Sequence, residues 1–372
     1  MKWEIDELLK QPDALKLSTE EYHKWKYKVF KQAFQWHYEN CPEYNDYCKL
    51  YNIKSDDINS YEDLIKIPPI PSDVYRESDK LILSVPEKDI IRILTTSSTT
   101  SKNPVKFPID KRTWNLSMGF TAKNWDQVAQ INGKGSVIFL TPSPQESDTG
   151  LVGGMYGVFR STGFTNDDIH FSVKKNVFNA DKIINIIENS KKPRNLYGPP
   201  FAYMHFIKYL EEHNLNIKLD DGSRAITTGG WKGVEEHKVS KEEFNKRVGK
   251  ALGLNSRYIR DGYGSTDIMT CIASCEYHNI HIPPWFHVSI RDPENIQEEV
   301  AEGEHGLIVL MSAYVFSYPA FTMPADMGIS KEIDCECGRT SQVVKIKGRA
   351  TTGGQRGCAV RLEQFMEGIS KK

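Results

Sequence analysis

The feature that most constrains the fold is an alternation of short apolar runs and helical patterns through the middle of the chain. The apolar runs "SVIFL", "RNLY", "RAIT" and "RYIRD" occupy residues 136–140, 194–197, 224–227 and 257–261. Helical spacing predicts helices near 180–189, at 200–213 and after a capping box formed by Ser240 and Glu243. Because strands that alternate with helices form βαβ units, the sequence predicts an α/β fold with a largely parallel sheet and flanking helices.

Other patterns flank this middle part. Ser18 and Glu21 have the spacing of a second capping box. It opens a predicted helix with an aromatic face, which comprises Tyr22, Trp25, Val29, Ala33 and Trp36. The segments "GEHGLIVLMS", "YPAFTM" and "SQVVKIKGR" read as strands joined by short turns. We therefore expect an α/β core with an N-terminal helical segment over 1–294, a smaller β-rich subdomain over 295–345 and a hinge-like tail over 346–372.

Composition argues against several classes of function. The chain has 48 basic and 49 acidic residues, a net charge of −1 and no basic block with interleaved aromatic residues, so nucleic acid and anionic membranes are poor partners. The N-terminus lacks an apolar signal segment, and no apolar run is long enough to span a membrane. We expect a cytoplasmic protein. Its seven cysteines favour metal ligation, a reactive thiol or core filling over a disulfide framework.

Parallel sheets bind ligands at the carboxyl ends of their strands, where this chain carries "YGPP" and "TTGGW". The first segment leads into an aromatic helix that would line an acyl pocket or fill the core. In the second, glycines would let a flat ring approach the backbone, the alternative being a plain turn. The candidate residues are Tyr197, Gly198, Pro199, Gly229, Gly230 and Trp231.

A run of hydroxyl residues follows the apolar strand "IIRIL". Hydroxyl and backbone donors beside a lysine suit phosphate oxygens, although a surface loop without a ligand has the same composition. The candidate phosphate contacts are Thr96, Ser97, Ser98, Thr99, Thr100 and Lys102.

Two later motifs carry acidic residues. In "DGYGSTD", Tyr263 would stack on a base beside Gly264, Thr266 would bind a phosphate and Asp267 would hold Mg²⁺. In "YPAFTMPADMG", Asp326 would accept the two hydroxyls of a ribose, although an aspartate at such a place is commonly a turn former.

The order of these motifs, followed by "GRATTGGQRG", resembles the adenylate-forming superfamily, whose corresponding segments bind ATP and hold an acyl adenylate. The resemblance implies that Arg349 belongs to the hinge that leads into a C-terminal domain with a catalytic lysine. The sequence ends soon after this hinge, so we expect that domain to be absent. Lys102, Lys106 and Lys232 are the candidates to replace its lysine.

The segments "ITTGGWK", "HIPPW", "SYPAF" and "RGCAVRLEQF" narrow the resemblance to the LuxE family of acyl-protein synthetases, which serve the fatty-acid reductase complex of bacterial bioluminescence. The resemblance implies activation of a fatty acid with ATP and Mg²⁺, and acyl transfer to a cysteine near the C-terminus. Cys358 matches that position. Acyl-accepting reductase and acyl-transferase subunits are the implied partners. The flanking arginines would favour a thiolate, whereas a small buried residue is the plain alternative.

A departure from the superfamily pattern keeps other interpretations open. The superfamily's phosphate loop is usually glycine-rich, and "SSTTSKNP" has no glycine. A non-catalytic subunit of an acyl-processing complex is therefore an alternative, and a CoA ligase of the phenylacetate type is another.

The remaining cysteines suggest a metal site. "DCECG" contains Cys335 and Cys337, and "CIASCEYHNIHI" contains Cys271, Cys275 and His281. This combination suits a closed tetrahedral Zn²⁺ site. We predict a structural zinc held by Cys275, His281, Cys335 and Cys337, with Cys271 as a substitute for Cys275 and reduced, metal-free cysteines as the alternative.

Overall fold

The computed structural model describes residues 2–12, 14–95, 105–146, 150–174, 178–229, 231, 238–324 and 326–349. Within these residues the helices are α1 (Glu4–Lys10), α2 (Thr19–Asn40), α3 (Pro42–Leu50), α4 (Ser72–Glu77), α5 (Lys111–Asn124), α6 (Gly150–Ser161), α7 (Ala180–Asn189), α8 (Pro200–Glu212) and α9 (Lys241–Leu252). Short helical turns occur at Ser55–Asp57, Glu62–Lys66, Glu87–Asp89, Trp125–Ala129, Asn166–Asp168, Ser256–Tyr258 and Thr266–Ile268.

The strands of the described residues follow the same chain order. They are β1 (Ile70–Pro71), β2 (Ile90–Thr95), β3 (Lys106–Asp110), β4 (Ser136–Phe139), β5 (Ile169–Phe171), β6 (Arg194–Gly198), β7 (Ala225–Thr228), β8 (Ile259–Ser265), β9 (Thr270–Ala273), β10 (Ile280–His281), β11 (Phe286–Arg291), β12 (Gly306–Ser312), β13 (Phe321–Met323), β14 (Asp326–Asp334) and β15 (Thr340–Arg349).

The described residues form two compact units. The first unit takes in the chain up to Ser117, then Ser265–Thr270, and then the residues from His281 onward. The second unit consists of Met118–Gly264 and Cys271–Ile280. The three-part division expected from the sequence stays a prediction.

The second unit is built on a sheet with the strand order β5-β4-β6-β7-β8-β9. Neighbouring strands from β5 to β8 are parallel, which confirms the predicted largely parallel sheet. All four residues of β4 and of β7 are buried, as expected for parallel strands covered by helices. Helices α7, α8 and α9 cover this sheet with apolar side chains, which include Ile183, Tyr203, Phe206, Ile207 and Val248.

Local sequence signals fix where these helices begin and end. Asn179 caps α7 by accepting a hydrogen bond from the amide of Lys182 at 2.8 Å, and Ser240 caps α9 by accepting from Glu243 at 3.1 Å. Helix α9 ends at Gly253, whose φ of 65° lies in the left-handed region. The predicted strand at 257–261 begins only at Ile259, because Ser256–Tyr258 form a helical turn.

The first unit contains a mostly antiparallel sheet with the strand order β1-β13-β12-β14-β15-β10, and β11 pairs with β12. The three segments predicted as strands contribute β12, β13 and β15 to this sheet. Strands β14 and β15 form a long hairpin that pairs from Asp326 opposite Arg349 to Asp334 opposite Thr340, with a register shift between Met327 and Gly328. Strands β2 and β3 form a separate antiparallel pair, in which Thr95 lies opposite Lys106.

Helix α2 of the first unit has the predicted complete capping box, with Ser18 and Glu21 bonded reciprocally. Its buried face differs in part from the predicted aromatic stripe. Tyr22, Val29 and Ala33 are buried as predicted, whereas Trp25 and Trp36 are half-buried. The face also buries Lys26, Phe30, Phe34 and His37.

No helix in the described part of the chain has the length and apolarity to cross a membrane.

Lys26 is the unexpected residue of this face, since its side chain is fully buried. Its Nζ lies 3.4 Å from His287 Nδ1, 3.3 Å from Gln342 Oε1 and 4.5 Å from the centre of the Tyr22 ring. Burial lowers the pKa of Lys26 to about 7, and the carboxylates of Glu332 and Glu299 offset part of this shift.

We expect Lys26→Met to make the protein more stable at pH 6.5 and to remove part of its pH dependence. Because the amine of Lys26 binds its proton less tightly in the folded chain, the wild-type protein gains stability as the pH rises from about 7 towards the unfolded pKa, by at most about 1.4 kcal/mol per pH unit. Thermal unfolding midpoints at pH 6.5, 7.5, 8.5 and 9.5 measure the difference. The exposed Lys24→Met is the matched control, and parallel curves for Lys26→Met and wild type would contradict the assignment.

Candidate functional site

Three of the predicted ligand-binding segments meet at the carboxyl edge of the parallel sheet. Gly198 at the end of β6 lies opposite Thr227 of β7, and Thr228 lies opposite Gly262 of β8. The segments that follow these strands therefore leave the sheet side by side. This is the edge at which open parallel sheets bind ligands.

Tyr197 joins two of these strands rather than projecting from the edge. It is buried, and its hydroxyl lies 2.7 Å from Thr228 Oγ1. Burial raises the pKa of Tyr197, so the hydroxyl is neutral. Gly198 is required by close packing, since a Cβ there would lie 2.9 Å from Leu140 Cβ. Pro199 is the N-cap residue of α8.

Helix α8 is mainly a core helix. Tyr203, Phe206, Ile207 and Leu210 belong to the buried core of the second unit, and Met204 and Tyr209 pack against it. Phe201 is the exception, with 45% of its surface exposed. Of the two interpretations of this aromatic helix, the structure therefore favours core filling over an acyl pocket.

The segment after β7 departs from the sheet through Gly229, whose φ of 78° favours glycine. Trp231 is half-buried and packs against the core of the second unit. Gly230 and Lys232 lie outside the described residues.

The "DGYGSTD" segment begins inside β8. Asp261 accepts hydrogen bonds from Thr227 Oγ1 and, at 2.5 Å, from Lys241 Nζ. Gly262 has no room for a side chain, because a Cβ would lie 2.5 Å from Thr228 Cγ2 and 3.0 Å from the Trp125 ring. Tyr263 is half-buried and Gly264 is exposed. Close packing beneath the edge thus fixes the course of the chain just before its predicted base contact.

The acidic end of this segment belongs to the first unit. Asp267 is buried, and its carboxylate accepts a hydrogen bond from Ser72 Oγ. The backbone carbonyls of Thr266 and Asp267 accept from the hydroxyl of Tyr318, at 3.4 Å and 3.2 Å. Burial raises the pKa of Asp267, the hydrogen bond from Ser72 lowers it, and the charge of Asp326 raises it further.

The electrostatic effect of Asp326 on Asp267 shows that the two acidic residues predicted from the sequence lie near each other in the first unit. Asp326 begins β14, and its amide donates to the carbonyl of Pro324 at 2.7 Å. Arg349 ends β15 directly opposite it in the ladder. Asp267, Asp326 and Arg349 were all predicted to take part in nucleotide and Mg²⁺ binding. All three belong to the first unit, in the helical turn Thr266–Ile268 and in the paired strands β14 and β15.

The opposite end of the β14–β15 hairpin carries the sulfur ligands. The ligand atoms of His281, Cys335 and Cys337 lie within 4.8 Å of one another, and Cys337 Sγ is 3.3 Å from His281 Nε2. Cys275 is a buried residue of the second unit, and its place in the predicted ligand set stays a prediction. Cys271 of the same unit contacts Met155 through its sulfur at 3.6 Å.

Several predicted site residues lie outside the described residues. They are Thr96, Ser97, Ser98, Thr99, Thr100, Lys102 and Cys358. The strands β2 and β3 that flank the hydroxyl run are described, and Thr95 at the end of β2 pairs with Lys106 at the start of β3. Lys106 is exposed.

Sequence reasoning missed Ser72 and Tyr318. Both bond to the segment around Asp267, yet they lie 195 and 51 residues away from Asp267 along the chain. Ser72 begins a six-residue helix after a proline, and this gives no local signal of its role.

Comparison with known proteins gives consistent matches over nearly the whole chain. The family described as "Acyl-protein synthetase, LuxE" matches residues 1–367. The long-chain-fatty-acid–luciferin-component ligase of Aliivibrio fischeri is 29% identical over 98% of this chain and 94% of its own length. The enzyme of the same name from Vibrio harveyi is 24% identical over 97% and 93%.

Solved structures share the fold. An open conformation of 2-hydroxyisobutyryl-CoA ligase, in complex with 2-HIB-AMP and CoA, superposes with a TM-score of 0.72 and 18% identity, and covers 92% of this chain and 79% of that one. Its postadenylation state, with 2-HIB-AMP, gives the same TM-score. These matches confirm the predicted α/β fold with a largely parallel sheet.

We expect Gly262→Ala to destabilise the protein by about 1–3 kcal/mol, because the added methyl group overlaps Thr228 and Trp125. The matched control is Gly154→Ala in α6, where a Cβ would have nothing within 4 Å and alanine is the better helix former. Thermal unfolding followed by circular dichroism compares the two variants. An unfolding temperature of Gly262→Ala at or above that of wild type would contradict the packing described for this edge.

Proposed function

The chain belongs to the LuxE family of acyl-protein synthetases, and from this premise we propose that it activates a long-chain fatty acid with ATP and carries the acyl group on Cys358. The family match over residues 1–367 is the observation that carries the proposal. The names of the two Vibrionaceae relatives support a long-chain fatty acid as the substrate. The shared fold with a ligase crystallised with an acyl adenylate supports activation through the same kind of intermediate.

The proposed reaction has two steps. A carboxylate oxygen of the acid attacks the α-phosphorus of ATP, the bond from that phosphorus to the bridging oxygen breaks, and pyrophosphate leaves. The thiolate of Cys358 then attacks the acyl carbon, the bond to the AMP oxygen breaks, and AMP leaves with the bonding electron pair. The resulting thioester is delivered to an acyl-accepting reductase subunit, and an acyl-transferase subunit is the other proposed partner.

The proposed nucleotide contacts are those that the sequence motifs predict. Tyr263 and Gly264 would contact the base, together with Gly229, Gly230 and Trp231. Thr266, Lys102 and the hydroxyl run from Thr96 to Thr100 would bind the phosphates, Asp326 the ribose hydroxyls, and Arg349 the nucleotide from the hinge. Tyr197, Gly198 and Pro199 stay the proposed boundary of the acid site.

Asp267 is the proposed ligand for Mg²⁺, and its surroundings fit this role. Its carboxylate is buried, and the negative charge of Asp326 disfavours ionisation of Asp267. A divalent cation would relieve both the burial cost and the repulsion, and Mg²⁺ prefers carboxylate and phosphate oxygens. When bound, Mg²⁺ neutralises phosphate charge. The residues of this chain position it: Ser72 orients the carboxylate of Asp267, and Tyr318 fixes the backbone that carries it.

The acceptor thiol is tested by labelling the protein with a radioactive fatty acid in the presence of ATP and Mg²⁺. We expect wild type to acquire a hydroxylamine-labile label and Cys358→Ser to lose it, while exchange of pyrophosphate into ATP continues because the first step does not use the thiol. Cys48→Ala, which removes a buried cysteine of α3, is the matched control and keeps the label.

The other outcomes of this experiment identify the alternatives. A hydroxylamine-labile label that survives Cys358→Ser would contradict the assignment of the acceptor. Product that forms only with CoA, on an unlabelled protein, would instead support a CoA ligase. Absence of pyrophosphate exchange in wild type with Mg²⁺ would support a non-catalytic subunit.

The nucleotide role of Asp326 is tested by Asp326→Asn. Loss of charge-assisted hydrogen bonds to the ribose is worth about 1.5–3 kcal/mol, so we expect kcat/KM for ATP in the exchange assay to fall about 10-fold to 100-fold. Asp334→Asn at the other end of β14 is the matched control, because Asp334 is exposed and bonds only locally to Thr340 at 3.1 Å. Equal kinetics for the two variants would refute the role.

A further inference from the structure

The turn of the β14–β15 hairpin carries two thiols, and β10 brings an imidazole to them. Cys335 and Cys337 stand on the residues that join the two strands, and His281 is the last residue of β10 in the same sheet. The three ligand atoms lie within 4.8 Å of one another. His281 is buried and the two cysteines are half-buried. This arrangement brings His281 to two cysteines that lie 54 and 56 residues further along the chain.

The backbone of the turn holds the two thiols in place. The amide of Gly338 donates to the carbonyl of Cys335 at 2.8 Å, and the amide of Cys335 donates to the carbonyl of Arg339 at 3.4 Å. Gly338 has a φ of 77°, a conformation that glycine adopts without strain. Since β14 and β15 pair in register up to Asp334 and Thr340, the turn is anchored on both sides.

His281 is oriented by a hydrogen bond on the far side of its ring. Its Nδ1 lies 3.0 Å from Ser341 Oγ, and its Nε2 lies 3.3 Å from Cys337 Sγ. Histidines that ligate metals commonly hold one ring nitrogen by such a hydrogen bond and present the other to the metal. Nε2 is therefore the ligand atom, and it already faces the sulfur.

The spacing of these atoms suits zinc. Zn²⁺ binds thiolate sulfur at about 2.3 Å and imidazole nitrogen at about 2.0–2.1 Å, so tetrahedral ligand atoms lie about 3.5–3.8 Å apart. The sulfur-to-nitrogen distance of 3.3 Å and the 4.8 Å limit for the group bracket these values. Thiolate and imidazole donors together select zinc over magnesium or calcium, which prefer oxygen.

We propose that Cys335 Sγ, Cys337 Sγ and His281 Nε2 bind a structural Zn²⁺ that locks the turn of the β14–β15 hairpin to β10. Each thiol releases its proton when the metal binds, so the bound thiolates balance the charge of the cation. Cys275, the fourth ligand predicted from the sequence, is tested below. Because the hairpin also carries Asp326 and Arg349, the metal stabilises the strand pair that holds two proposed nucleotide contacts.

The proposal is tested by metal analysis of the purified protein, which needs no activity assay and so does not depend on the proposed function. Inductively coupled plasma mass spectrometry is expected to find about one zinc per chain after expression in medium with zinc. Replacement by Co²⁺ is expected to give the ligand-to-metal charge-transfer absorption of cobalt thiolates and the visible bands of tetrahedral cobalt. X-ray absorption at the zinc edge then counts the sulfur ligands.

Variants assign the ligands. Cys335→Ser with Cys337→Ser is expected to abolish zinc binding, and Cys41→Ala, which removes a buried cysteine of the first unit, is expected to keep it. Since the double variant can fail to fold, the cobalt spectrum of wild type stands as an independent measurement. If X-ray absorption finds three sulfur ligands in wild type and two in Cys275→Ser, Cys275 is the fourth ligand. Two sulfur ligands in wild type would exclude Cys275 from the site.

Three results would overturn the proposal. The first is wild-type protein that contains no zinc and develops no cobalt-thiolate absorption. The second is a double variant that is folded and still binds one zinc. The third is a disulfide between Cys335 and Cys337 in protein purified without reductant, detected by mass spectrometry, together with absence of zinc after reduction and zinc addition.

Discussion

The parallel pairing of β6, β7 and β8 is the constraint on which the second unit depends. Parallel strands end at a common edge, so the register Gly198–Thr227 and Thr228–Gly262 determines which three segments emerge together. A shift by one residue would exchange the side chains between the two faces of each strand. Packing resists such a shift, because there is no room for a Cβ at position 198 beside Leu140, and the hydroxyls of Tyr197 and Thr228 are hydrogen-bonded across the strands.

The first unit carries two acidic residues of the candidate site, Asp267 and Asp326. Ser72, Tyr318 and the β14–β15 hairpin come from three separate parts of the sequence, and they hold Asp267 and Asp326 within electrostatic reach of each other. Asp267 is buried and Asp326 is half-buried, and the negative charge of Asp326 raises the pKa of Asp267. Such a pair is a common property of sites that bind cations or anionic ligands with their counterions.

The sequence predicts the parallel core well, because each of its elements carries a local signal. The helices at 180–189 and 200–213 and the strand at 194–197 agree with the structure to within a residue. Strand β14 was missed because most of its residues are half-buried or exposed and several are charged, so it shows no regular apolar pattern, and it owes its form to pairing with β15. The burial of Lys26 was missed because lysine at a core position contradicts the usual pattern, and only tertiary contacts with Tyr22, His287 and Gln342 explain it.

The candidate site follows the same division. Motifs that lie directly after strands were found from the sequence, since a parallel sheet fixes their position. The partners of Asp267 were not found, because Ser72 and Tyr318 approach it only through the fold. The grouping of Cys335, Cys337 and His281 was predicted from ligand type and spacing, and the structure brings these three together.

The length of β14 determines how a structural change at the hairpin turn affects Asp326, at the other end of the strand. Its nine residues separate Asp326 from Asp334 by about 26 Å, at about 3.3 Å for each step along a strand. A disturbance at the turn therefore reaches Asp326 only by fraying of the ladder, one pair after another from Asp334 opposite Thr340. Fraying of strand ends increases with temperature. The effect of a substitution at the turn on Asp326 is therefore expected to grow as the temperature rises, whereas the effect of a substitution of Asp326 itself is present at every temperature.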